Sequence, residues 1–211
     1  MKFLILLMII PIQLLANDYP SHWWKPVPKQ LKHSWEITPD QAKPGEVILS
    51  KRNELGILSN FAHTPFEFEG IHYESVEGAW QSLKYPEGPK DIRAKAPFTK
   101  WPFTRKQVQN MIGFEAMKAG KIANRNMLFM GINWVSFKGL KMKIKTPQKA
   151  AHYKLIKKMI IEKIKQNPKV KEILLSTGNL ILKPDHKIRK SAPPAWHYNE
   201  IYMEIRKTLQ K

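Results

Sequence analysis

The chain has no cysteine. Disulfide bridges, thiolate metal ligands and a thiol nucleophile are therefore excluded. Acidic residues are scarce beside basic ones: 17 Asp and Glu stand against 36 Lys and Arg, a formal net charge of +19. Such a field attracts anions, whether nucleic acid, anionic lipid or phosphorylated small molecules, but it does not specify a fold. A solvated lysine-rich surface is the plainer reading of the same excess. A long apolar run occurs in one place, Phe3 to Leu15, and is too short to span a bilayer comfortably. The 7 histidines are scattered without metal-ligand spacing, and no glycine-rich phosphate loop is present. Neither a metal nor a cofactor is expected. What remains is ordinary globular composition, 43% apolar and 25% charged over 211 residues, enough for one domain with an appendage.

The ends of the chain differ in character. Met1-Lys2 is a minimal basic start, Phe3 to Leu15 is apolar, and Ala16 precedes Asn17-Asp18. Residues 1–16 read as a secretory signal cleaved after Ala16, with Leu14 larger than the usual residue at minus three. That reading places the protein in the periplasm or outside the cell, with no stable membrane span after cleavage. An uncleaved anchor or a buried N-terminal helix is the alternative. Residues 17–46 form an arm in which Pro20, Pro26, Pro28, Pro39 and Pro44 forbid long helices. Trp23, Trp24 and Trp35 lie in it. Their apolar rings imply packing on the main domain, residues 47–211, with a membrane or partner contact as the alternative.

Within that domain, Val47 to Ser50 reads as a strand. Pro65 to Glu69 and Ile71 to Tyr73 read as a hairpin turning near Glu69-Gly70. Ser75 has capping chemistry for a helix over 76–85, which Pro86-Glu87-Gly88-Pro89 ends. Residues 91–105 are basic and broken by proline. A helix is expected over 106–121 with Gly120 as its stop. Residues 126–146, holding Trp134 and Phe137, receive no assignment. Tyr153, Ile156, Met159, Ile160 and Ile164 recur at helical spacing over 152–165, with lysines opposite. A short helix over 169–175, a strand over 180–182 and a last helix over 199–209 complete the chain.

The stretch from Leu58 to Lys84 carries the chemistry. A polar turn and a strand pair lead to a helix that takes one carboxylate, Glu77, among Tyr73, Val76 and Trp80. A carboxylate with aromatic neighbours stabilises a sugar carbon that gains positive charge, and burial would raise its pKa. An exposed glutamate favoured by the start of a helix is the competing reading. Ser59 and Asn60 offer donors to ribose or phosphate, or simply cap a turn. Trp80, Trp134 and Trp196 offer stacking faces or packing volume. His186 and His197 are proton carriers near neutral pH or surface residues. Arg52, Lys84, Arg105 and Arg125 are candidates for phosphate contact.

These residues occur in an order that resembles the NADAR superfamily of YbiA-like N-glycosidases. The matching pieces are Leu58-Ser59-Asn60-Phe61, Pro65-Phe66, Gly70-Ile71-His72-Tyr73, and Ser75-Val76-Glu77-Gly78-Ala79-Trp80-Gln81 with Lys84. Trp134, Phe137-Lys138, Met159, Lys163, Gln166-Asn167-Pro168, Leu174-Leu175, Thr177-Gly178 and Met203-Glu204-Ile205-Arg206 follow. The resemblance spans about residues 47–207. It implies an α+β fold, a mostly helical single domain with a small β-sheet. It also implies hydrolysis of a C1–N bond in a ribosyl or ADP-ribosyl substrate, and the lack of a metal motif makes metal-independent hydrolysis the simpler expectation. Glu77 takes the place of the catalytic glutamate and Asp185 that of a later aspartate. Ser59, Asn60, Phe61, Lys84, Trp134 and Trp196 are the corresponding substrate-binding candidates. The family's Asp-x-x-Trp-Gly block is altered: the Trp-Gly after Asp185-His186 is missing and Trp196 lies further on. A module that binds ADP-ribose or a nucleotide without turnover, or a cationic protein that binds nucleic acid or the cell envelope, would fit that alteration. Export also sits awkwardly with the family's cytoplasmic substrates.

Overall fold

The computed structural model describes residues 19–211, so the segment read as a secretory signal lies outside the described residues. The fold is α+β and mostly helical. Among the described residues its strands form three separate two-stranded ribbons instead of one sheet.

The first ribbon closes the domain. Strand β1 (Glu46–Ile48) pairs in parallel with β6 (Ile181–Lys183), Val47 opposite Leu182. The second is the expected hairpin, β2 (Phe66–Phe68) with β3 (Ile71–Tyr73). Its turn residues Glu69 and Gly70 both have positive φ, 55° and 76°, as a turn matched to strand twist requires. The third, β4 (Trp134–Phe137) with β5 (Leu140–Lys143), turns through Lys138 and Gly139 in the same conformation, φ 48° and 80°.

Among the described residues, seven α-helices surround the ribbons: α1 (Val76–Ser82), α2 (Ile92–Lys95), α3 (Arg105–Gln109), α4 (Gly113–Phe129), α5 (Ala151–Gln166), α6 (Pro168–Ser176) and α7 (Tyr198–Leu209). Helix α1 is central, packing on α3, α4 and α5. Helix α5 buries Tyr153, Ile156, Met159, Ile160 and Ile164, the face its periodicity predicts. The helix expected over 106–121 is two helices. Gly120 does not stop the second but lies inside it, where a Cβ would come 2.0 Å from Gln81 Oε1. Its small size serves the contact between α4 and α1.

The arm joins this core. Trp23 is buried in the main apolar cluster, and its indole N–H donates to Glu54 Oε1 at 2.6 Å. Trp24 Nε1 donates to the Glu46 carbonyl at 2.9 Å. Arg52 grips both carboxylate oxygens of Glu36 at 2.6 Å. Glu36 forms an antiparallel bridge to His186, and Ile37 N donates to the Asp185 carbonyl at 2.7 Å.

Candidate active site

The site is built from the start of α1. Ser75 Oγ accepts from Gly78 N at 2.9 Å and donates to the Met111 carbonyl at 2.8 Å. This fixes both the cap and the tight approach of α3. Glu77 follows in the first turn. Its backbone N–H donates to the Asn60 carbonyl at 2.9 Å, joining the helix to the 58–61 turn. Glu77, Gln81 and Lys84 recur at i, i+4 and i+7 and so share one face of the helical path.

Glu77 is only 8% exposed, which removes the reading of a solvated surface glutamate. Gln81 Nε2 donates to its Oε1 at 2.7 Å. Burial pushes the carboxyl pKa up. The Gln81 hydrogen bond and the positive charges of Lys84, His186 and Lys51 act the other way. Lys84 is buried as well, and desolvation pulls its ammonium down to about 8 against the support of Glu77. Beyond Lys84, His152 is buried edge-on to Trp80, with ring centroids 5.4 Å apart. Burial lowers it to about 4, a backbone contact with Ile144 opposes this, and the Lys84 charge adds to the lowering.

Asp185 completes the polar cluster from the other end of the sequence. One carboxylate oxygen pairs with Lys51 Nζ; the other meets His186 Nδ1 at 2.9 Å. Burial works to raise its pKa, and these hydrogen bonds and charges outweigh it and hold it low. His186 in turn stacks on Tyr198 at 6.3 Å. The 58–61 turn is pinned from below by Lys163, whose Nζ donates to the carbonyls of Ile57 and Ser59 at 2.7 and 2.9 Å. Burial lowers that ammonium to about 7.

Glu77, Lys84, Asp185, Ser59, Asn60 and Phe61 thus fall in one connected neighbourhood. Trp134 is half-buried elsewhere in the network. Its ring carries the Arg93 guanidinium at 4.7 Å and Lys141 Nζ at 4.4 Å, so cations occupy its neighbourhood. Trp196 stands 43% exposed in the 3-10 turn Pro194–Trp196, which packs on α5. The arginines proposed for phosphate are mostly committed elsewhere. Arg52 holds the arm through Glu36. Arg105 donates to the carbonyls of Leu83, Tyr85 and Ser136, and Arg125 is exposed on α4. Arg93, fully buried, caps the end of α1 through the carbonyls of Leu83 and Lys84.

Sequence reasoning missed Lys51, Gln81 and Lys163 as parts of this neighbourhood. Only Gln81, four residues after Glu77 on a helix, left a local signal. A cavity of about 350 Å³ opens beside Lys51, Asn53, Ile57, Ser59 and Phe61. Another, of about 550 Å³, lies beyond His186 and is walled by Lys183, Lys187, Arg189 and His197. Glu77 lines neither; it is one hydrogen bond behind the Asn60 backbone. Among the described residues, no cluster of three or more His, Asp or Glu is arranged to hold a metal ion, and no helix is long and apolar enough to cross a membrane.

No protein-family model matches the chain, and no curated protein matches it. Among solved structures, the NMR structure of the E. coli protein YbiA is similar to 76% of this chain and 82% of its own, at 16% identity and a TM-score of 0.47.

Proposed function

We propose that the protein is an N-glycosidase that hydrolyses the C1–N bond of a ribosyl or ADP-ribosyl substrate. The observation that carries this reading is the burial of Glu77, whose carboxylate takes a hydrogen bond from Gln81 and whose pKa desolvation raises. A carboxylate withdrawn from water gains most by meeting positive charge that develops only in the transition state. As the C1–N bond breaks, its electron pair leaves with nitrogen and C1 becomes cationic. Glu77 stabilises that charge and takes a proton from the water that adds to C1. Lys84, protonated at neutral pH and easily deprotonated, supplies the proton to the departing nitrogen. The exchange with solvent of one proton gained and one lost restores both groups. Asp185 is a positioning residue in this scheme, since its two oxygens hold Lys51 and His186.

A binding module without turnover is the second reading. It is favoured by the fact that Glu77 lines neither cavity. The test is to incubate the purified protein with NAD, an oligonucleotide bearing ADP-ribosyl-guanine, and a phosphoribosylated aminopyrimidine, and to measure the free base and the reducing sugar. Release of both from at least one substrate is expected. Release from none, with binding retained, would establish the module in place of the hydrolase.

A further inference from the structure

Three aromatic rings from three separate parts of the chain meet one another, and Lys51 lies against two of them. Trp35 comes from the arm, Phe61 from the 58–61 turn and Phe114 from the start of α4. Phe61 and Phe114 meet edge to face with centroids 5.3 Å apart, and Phe114 meets Trp35 in the same way at 6.3 Å. Lys51 Nζ lies 5.4 Å from the Phe61 ring and 5.8 Å from the Trp35 ring. His33 stacks on Trp35 at 5.5 Å, nearly parallel.

This is not core packing. Trp35 is 45% and Phe114 52% exposed, and a contiguous exposed aromatic group marks a binding surface more often than a scattered apolar residue does. The arm is also held in register beside it. Glu36 and Ile37, the residues next to Trp35, are fastened to Arg52, His186 and the Asp185 carbonyl. Such fastening places Trp35 reproducibly at the edge of the Asp185 cluster. Phe61 and Lys51 also wall the cavity of about 350 Å³, within the size range of small-ligand sites.

We infer that Trp35, Phe61 and Phe114 form a stacking subsite for the nucleobase of a nucleotide ligand, with Lys51 beside it facing the ligand's negative charge. Aromatic faces suit a flat conjugated ring, Lys51 is held beside them by its pair with Asp185, and the strongly basic chain favours an anionic occupant over a neutral one. The identity of the ligand as a nucleotide rests on the proposed function; the stacking itself is measured without turnover.

The test titrates AMP, CMP and ribose 5-phosphate into the full chain, and into Trp35→Ala, Trp35→Phe and Phe114→Ala, by calorimetry. The wild type is expected to bind at least one nucleotide about tenfold more tightly than ribose 5-phosphate, the scale of one base–aromatic stack. Trp35→Ala and Phe114→Ala should each erase most of that preference and leave ribose 5-phosphate unchanged, while Trp35→Phe keeps most of it. Equal binding of base-bearing and base-free ligands by the wild type would overturn the subsite. So would a preference untouched by both alanine variants, equal weakening of all ligands, or no binding of any, the last pointing to a protein occupant. If the preference depends on Trp35 yet no substrate is hydrolysed, the subsite stands and the glycosidase reading falls.

Discussion

At the scale of single residues, two buried groups of opposite charge, Glu77 in the first turn of α1 and Lys84 just past its end, carry the proposed chemistry. Burial raises the Glu77 pKa above its ordinary 4.5 and lowers that of Lys84 to about 8. The proposed chemistry needs the carboxylate ionised and the ammonium protonated. Hydrolysis should therefore fall on acidification at a pH above 4.5, as Glu77 takes up its proton. It should fall again on the alkaline side near pH 8, as Lys84 loses its own. A rate profile between pH 4 and 10 checks this, and an alkaline limb delayed to the ordinary lysine value of 10.5 would contradict it. Lys84→Met should remove that limb and slow the reaction by about 10²- to 10⁴-fold, the usual scale of general acid catalysis.

At the scale of elements, two glycines decide how closely α1 can be approached. A Cβ on Gly78 would lie 2.4 Å from the Met111 carbonyl oxygen, backbone that cannot step aside. Gly78→Ala should cost about 1–3 kcal/mol of stability, as overpacking does, read by urea unfolding. A Cβ on Gly120 would instead meet the end of the Gln81 side chain, which can move. Gly120→Ala should therefore unfold at nearly the wild-type urea concentration. Displacing Gln81 would remove a hydrogen bond that favours ionised Glu77, so the acidic limb of the rate profile should move to higher pH. The hairpin through Glu69-Gly70 was legible because its strands alternate around a glycine turn. The hairpin through Lys138-Gly139 was not, because β5 is largely exposed and offers no apolar alternation, Leu140 being 72% exposed. Gly120 misled for a related reason. A glycine in a helical pattern reads as punctuation until the side chain packed against it is known, and that side chain belongs to another helix.

At the scale of the whole molecule, the site is a meeting of distant segments. The helix that carries Glu77, its cap and its turn could be read locally, because spacing within a few residues sets them. Lys51 with Asp185, and Trp35 with Phe114, could not. Those contacts depend on the parallel pairing of β1 with β6 and on the path of the arm, neither of which leaves a periodic trace. The arm itself is integral. Trp23 is 1% exposed and bonded to Glu54, so Trp23→Ala should cost about 3–5 kcal/mol, the usual loss for a buried aromatic ring, measured by the same unfolding experiment. The measurement that bears most directly on the function is turnover and binding side by side for Glu77→Gln. With the substrate that the wild type cleaves, the variant should lose at least about a hundredfold in turnover, the scale of a lost electrostatic stabiliser, while its affinity stays within a few fold. Turnover equal to that of the wild type would contradict the account.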